Sequence, residues 1–186
     1  CVISTDGGAT WTLKTPLGGA INICDTWLRW GRDGRLLGQI IGIFGGGDSH
    51  IFASDDGGDS WASKYSTGHT EDHGEIIQCG PPASALFYSY WNHAAAAGSD
   101  HIERSQDNGE TWESMTLPSG PDWTAWNVLG LAYDLLTDRL YLGAGGVLGA
   151  NPTRYFYLEN ATAVAVGSES WVELQDAGGG LNDIAA

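Results

Sequence analysis

Apolar residues in this chain come in short runs, broken every few positions by glycine, aspartate, serine or asparagine. The runs over 35–44, 85–90 and 139–143 have the length and the branched or aromatic content of buried strands. Each precedes a polar break and then a shorter strand-like segment: His50-Ile51-Phe52-Ala53, His101-Ile102-Glu103-Arg104 and Tyr155-Phe156-Tyr157-Leu158. The first two of these segments open on repeat-equivalent histidines. Trp171-Val172-Glu173-Leu174 reads as a further outer strand, and Leu181-Asn182-Asp183-Ile184-Ala185 as the first strand of another unit. The pattern predicts an all-β chain. Its most apolar stretch, 36–44, is short and interrupted by glycine, so no transmembrane helix is expected.

The breaks recur. Ser4-Thr5-Asp6-Gly7-Gly8-Ala9-Thr10-Trp11 returns as Ser54-Asp55-Asp56-Gly57-Gly58-Asp59-Ser60-Trp61 and as Ser105-Gln106-Asp107-Asn108-Gly109-Glu110-Thr111-Trp112, a period of about fifty residues. A hairpin turn needs an acceptor for its unpaired backbone N–H groups and a residue that tolerates positive φ. Asp6, Asp56 and Asp107 are therefore assigned as acceptors, and Gly8, Gly58 and Gly109 as the left-handed residues. Trp11, Trp61 and Trp112 are expected to open the next strand and fold over the turn. Burying one such ring, roughly 200 Å² at about 25 cal/mol per Å², contributes on the order of 5 kcal/mol before entropy and incomplete burial are subtracted.

This motif resembles the Asp box, or BNR repeat, of sialidases, xyloglucan-type glycoside hydrolases, sortilin-like receptors and a photosystem assembly factor. The resemblance implies a β-propeller of four-stranded antiparallel blades, with each box between the third and fourth strands and away from the ligand-binding end. The boxes are thus expected to be structural. A fourth unit ends on Gly167-Ser168-Glu169-Ser170-Trp171, which keeps the Ser and Trp but not the Asp and Gly, and its turn is expected to carry an insertion. On this reading 1–14 is part of a blade, 15–64, 65–117 and 118–175 are full blades, and 176–186 starts the next. About four blades' worth of open sheets would expose strand edges, so a six- to eight-bladed ring is expected, closed by further chain or by other subunits. A self-contained four-bladed ring is the alternative.

Composition agrees: 28 glycines, nine tryptophans and 17% charged residues suit tight turns and ring-filled sheets. A net charge of −15 with only eight Lys plus Arg argues against a nucleic-acid partner and against an anionic membrane surface. Cys1, Cys24 and Cys79 leave an odd cysteine and show no metal-ligand spacing. Buried thiols are expected, with a Cys1–Cys24 bridge the alternative in an oxidising compartment. No cofactor is expected.

Candidate chemistry then concentrates in the loops that, by the resemblance, form the ligand face: 15–20, 45–49, 66–75, 92–100, 118–126, 145–153 and 176–180. The segment around 66–75 is the most loaded. His69, His73 and His93 with Glu71 or Asp72 are candidates for a polar site that takes a sugar or, as a lesser reading, a divalent metal, against the competing reading of a solvated acidic loop. Trp123 and Trp126 are candidates for stacking on sugar faces, against the competing reading that tryptophans outside the boxes pack between blades. The sialidase set of arginine cluster, Tyr/Glu pair and acid/base Asp is not displayed, since Arg29, Arg32 and Arg35 crowd one segment. A xyloglucan-type glycosidase would need two separated carboxylates, for which Glu71, Asp72 and Asp122 are the candidates. Three function classes follow. The first is a binding module for glycan or protein in an extracellular, cell-surface or virion-surface setting. The second is part of a glycoside hydrolase, and the third is a purely structural propeller.

Overall fold

The computed structural model describes residues 2–4, 6–13, 23–42, 48–68, 71, 73–81, 84–92, 100–123, 126–146 and 153–174. The strand expected at 181–185 lies outside them. A half blade comes first, β1 (Val2–Ile3) paired with β2 (Thr12–Leu13). Blade 1 holds β3 (Ile23–Trp30), β4 (Leu36–Gly42), β5 (His50–Ser54) and β6 (Ala62–Ser66). Blade 2 holds β7 (His73–Cys79), β8 (Leu86–Asn92), β9 (His101–Ser105) and β10 (Glu113–Met115). Blade 3 holds β11 (Trp126–Asp134), β12 (Arg139–Gly146), β13 (Arg154–Glu159) and β14 (Trp171–Glu173). Each blade is a four-stranded antiparallel meander in chain order, the architecture of a β-propeller. Among the described residues the sole helical element is a 3-10 turn, Arg32–Gly34.

Antiparallel order gives the molecule two ends. The upper end holds the last residues of β6, β8 and β10 and the first residues of β7, β9 and β11. The lower end holds the Asp boxes and the hairpins 31–35, 80–85 and 135–138.

The three boxes make the same hydrogen bonds. In the first, Asp6 Oδ1 accepts from the Thr10 amide at 2.8 Å and Oδ2 from the Thr10 hydroxyl at 2.6 Å. Ser60 binds Asp56 in that way at 2.9 and 2.5 Å, and Thr111 binds Asp107 at 2.8 and 2.6 Å. The serine has a role that the motif alone did not reveal: Ser4, Ser54 and Ser105 accept from the amides of Gly8, Gly58 and Gly109 and donate to the box aspartate. Each indole N–H then closes the turn on the carbonyl of that glycine, at 3.1–3.2 Å.

Full burial of the box rings does not hold. Trp11 is 63% exposed, while Trp61 and Trp112 are partly buried. Trp61 lies over Gly38, where a Cβ would come within 3.2 Å of its ring, and Trp112 packs on the core between blades 1 and 2. The fourth turn solves the same problem from a distance. Asp138, in the β11–β12 hairpin, accepts from the Thr162 amide at 3.1 Å and the Thr162 hydroxyl at 2.7 Å, reproducing the Asp–Thr clasp without a local aspartate.

Two apolar cores bind the blades together. Leu37, Ile41, Ile51 and Ala53 of blade 1 meet Ile76, Phe87 and Trp91 of blade 2. Between blades 2 and 3, Tyr88, Tyr90 and Ile102 meet Val128, Leu140, Leu142, Phe156 and Leu158, with the buried free thiol of Cys79 among them.

Candidate functional site

At the upper end the connection expected over 66–75 is shorter than the sequence suggested. Ser66 closes β6 and His73 opens β7, so His73 and Glu75 are strand residues, positioned by the ladder opposite Asn92 and Tyr90. His73 is exposed, its ring 5.0 Å from Trp27 in an edge-on contact and 6.0 Å from Tyr90. Trp27 comes from the inner strand of blade 1, so an imidazole and an indole meet where two inner strands converge. Deeper in the same seam Arg29 donates to the Ile76 carbonyl at 2.8 Å and pairs with Glu75 at 2.6 Å.

Glu71 is held behind this rim. Its amide donates to Ser49 Oγ at 3.0 Å, and Thr67 donates to the Ser49 carbonyl, which laces the interblade connection to the entry of β5. The residue is 1% exposed. Burial, reinforced by the negative charge of Asp100, pushes its carboxyl up to about 8. Asp100 in turn accepts from the Val128 amide at 2.5 Å, and Asn92 donates to the Val128 carbonyl at 3.2 Å. Both contacts fall at the irregularity in β11, where the register shifts between Val128 and Gly130 and frees ladder groups for side chains.

His69, Asp72 and His93 lie outside the described residues, so the full histidine–carboxylate set has no described geometry. Among the described residues no group of three or more His, Cys, Asp or Glu could hold a metal ion. Asp122 is exposed on the connection into β11. Trp126 opens β11 as a strand residue, 9% exposed and part of the core between blades 2 and 3, so its ring is not presented as a stacking surface. Trp123 is partly buried against that core, and its indole donates to the Pro118 carbonyl at 2.9 Å. Sequence reasoning missed Trp27 as the partner of His73, because it arrives from another strand. Alignment of inner strands was the one signal that could have found it.

The arginines are committed to carboxylates. Arg35 binds Asp55 at 2.6 Å and Glu110 at 3.0 Å at the lower end, and Arg32 pairs with Asp33. Arg104 pairs with Glu113, Arg139 with Glu159 and Arg154 with Glu173. With the Arg29–Glu75 pair, every arginine of the chain has a carboxylate partner.

The BNR/Asp-box repeat family matches residues 2–13. No curated protein matches the chain. Among solved structures, a protein of unknown function from Dyadobacter fermentans is similar at 20% identity with a TM-score of 0.54, over 96% of this chain and 52% of that one. The α-L-arabinanase of Penicillium chrysogenum, complexed with arabinobiose, is similar at 13% identity and a TM-score of 0.51, over 85% of this chain and 51% of that one. The NanB sialidase of Streptococcus pneumoniae, as its K499G mutant, is similar at 14% identity and a TM-score of 0.52, over 92% of this chain and 28% of that one. The chain therefore spans about half the length, or less, of these structures. The likeness is one of fold, a β-propeller of four-stranded blades. Among the described residues no helix is long and apolar enough to cross a membrane, which leaves β-barrels unaddressed.

Proposed function

We propose that this propeller recognises neutral carbohydrate at the upper rim, where the inner strands of blades 1 and 2 meet. The observation that carries the reading is the convergence there of the exposed His73 with Trp27, a small polar and aromatic pair of the kind that orients a sugar. A neutral ligand is favoured because the chain carries a net charge of −15 and its guanidinium groups are all paired, leaving none to receive an acidic sugar's carboxylate. The arabinanase and the sialidase among the similar folds lend support to a carbohydrate ligand in general. Titration calorimetry with neutral oligosaccharides, arabinan- and xyloglucan-derived, against sialylated ones tests this. Binding of a neutral glycan that weakens about tenfold or more in His73→Ala is expected. Absence of binding across a neutral glycan array, or His73→Ala binding as well as the parent, would sink the idea.

A second reading, part of a glycoside hydrolase, is favoured by Glu71. A carboxyl pushed up to about 8 beside a second acid, Asp100, is suited to donate a proton to a leaving group near neutral pH. Turnover of aryl glycosides that disappears in Glu71→Gln would establish that reading over simple binding.

A further inference from the structure

Within the seam between blades 1 and 2 the packing breaks its own rule. The third strands align as His50-Ile51-Phe52, His101-Ile102-Glu103 and Arg154-Tyr155-Phe156, so Glu103 stands where the other two blades place a buried phenylalanine. Those rings pair across to Ser63 and Glu173, as Glu103 pairs to Ser114. Glu103 is fully buried, and only one of its oxygens is accounted for: Oε1 accepts from Tyr65 of blade 1 at 2.6 Å and from Ser114 at 2.8 Å. Among the described residues Oε2 has no hydrogen-bond partner.

Three other fully buried side chains on this seam, Ser89 (Oγ), Trp91 (Nε1) and Gln39 (Oε1), each hold an atom in that condition, while His101, stacked on Trp91, places its Nε2 3.8 Å from Glu103 Oε1. They are neighbours by register. Ser89 is directly opposite Glu103, and Trp91 lies two residues further along the same face of β8. Gln39 reaches across from blade 1, its Nε2 donating at 3.0 Å to the carbonyl of Tyr90, the residue between them. That bond fixes the amide orientation and turns Oε1 away from Tyr90.

Leaving four such atoms dry inside a core is costly, and a buried carboxylate more so. The geometry points to an internal water site at this spot, a place for a bound water that donates to Glu103 Oε2 and Gln39 Oε1 and accepts from Trp91 Nε1 and Ser89 Oγ. Water has two donor and two acceptor directions, which match two acceptors and two donors. A cation is disfavoured by the indole N–H, and an anion by Glu103.

A high-resolution crystal structure of the chain tests the assignment. Ordered solvent within about 3.2 Å of Glu103 Oε2 and of at least one of the other three atoms is expected. Direct bonds among these four side chains, with no solvent density between them, would overturn it. In solution, magnetic relaxation dispersion of water oxygen should show the loss of one long-lived internal water in Glu103→Phe, which installs the ring of the other blades. Glu103→Gln, which keeps the shape and an acceptor, should retain it. Equal amplitudes in the parent and a folded Glu103→Phe would also overturn the site, and if Glu103→Phe does not fold, the crystal structure of the parent decides.

Discussion

Glu71 is a residue whose chemistry the structure alters strongly. Because burial, with Asp100 adding to it, lifts its carboxyl from 4.5 to about 8, its favourable contribution is complete below about pH 4.5 and is lost as pH rises through about 8. At about 1.4 kcal/mol per pH unit the whole loss is on the order of a few kcal/mol. Urea midpoints from pH 5 to 9 should therefore fall more steeply for the parent than for Glu71→Gln, and parallel curves would contradict the assignment. The box aspartates shift the other way. Hydrogen bonds from the Thr10 hydroxyl and amide, and from Ser4, hold the Asp6 carboxyl down at about 2. For Asp107 burial pulls upward, yet the Thr111 and Ser105 bonds keep it below the usual range. Asp107→Ala should cost about 1–3 kcal/mol in chemical denaturation, since it strips partners from the Thr111 amide and hydroxyl and from the Glu110 amide.

Between strands, the turn of blade 3 shows how an element survives the loss of its motif. The Asp box clasps residues four apart, whereas Asp138 clasps Thr162 from a different hairpin and also accepts from the Tyr133 hydroxyl at 2.9 Å. Asp138→Ala should lower stability by about 2–3 kcal/mol, measured by denaturant titration. A loss no larger than that of an exposed surface aspartate would mean that the long-range clasp carries little. This clasp could not be read from the chain, because nothing in the local pattern around 160–170 names a partner 24 residues upstream. The positions of His73 and Trp126 were misjudged for a related reason: a polar or aromatic residue at a strand's first position looks like loop until its pairing is known.

Across the whole molecule, blades are joined by turns as well as by cores. The Asp-box turn of blade 2 leans on blade 1: a Cβ on Gly109 would come within 2.5 Å of the Leu37 side chain, and the Asn108 side chain exchanges hydrogen bonds with Arg32's backbone. Gly57, in the blade 1 box, has open space around it. Both glycines have positive φ, which alone costs an alanine about 1 kcal/mol. Gly109→Ala should therefore lose about 1–3 kcal/mol more than Gly57→Ala, read from the difference in Tm, because it also overpacks the joint between blades. Equal losses would show that this contact yields freely.

The amino-acid sequence by itself determined the all-β class, the repeat and the aspartate's role in each Asp box, because those depend on period-two patterning and on bonds spanning four residues or fewer. The loop cluster around residues 66–75 was likewise visible as composition. Only the tertiary structure decided that Trp27 meets His73, that Trp126 is packed away, that the arginines are paired, and that Glu103 occupies a phenylalanine's place. Each of those facts depends on the register between strands and on the facing of separate blades, and a one-dimensional pattern of polar and apolar residues does not specify which strands become neighbours.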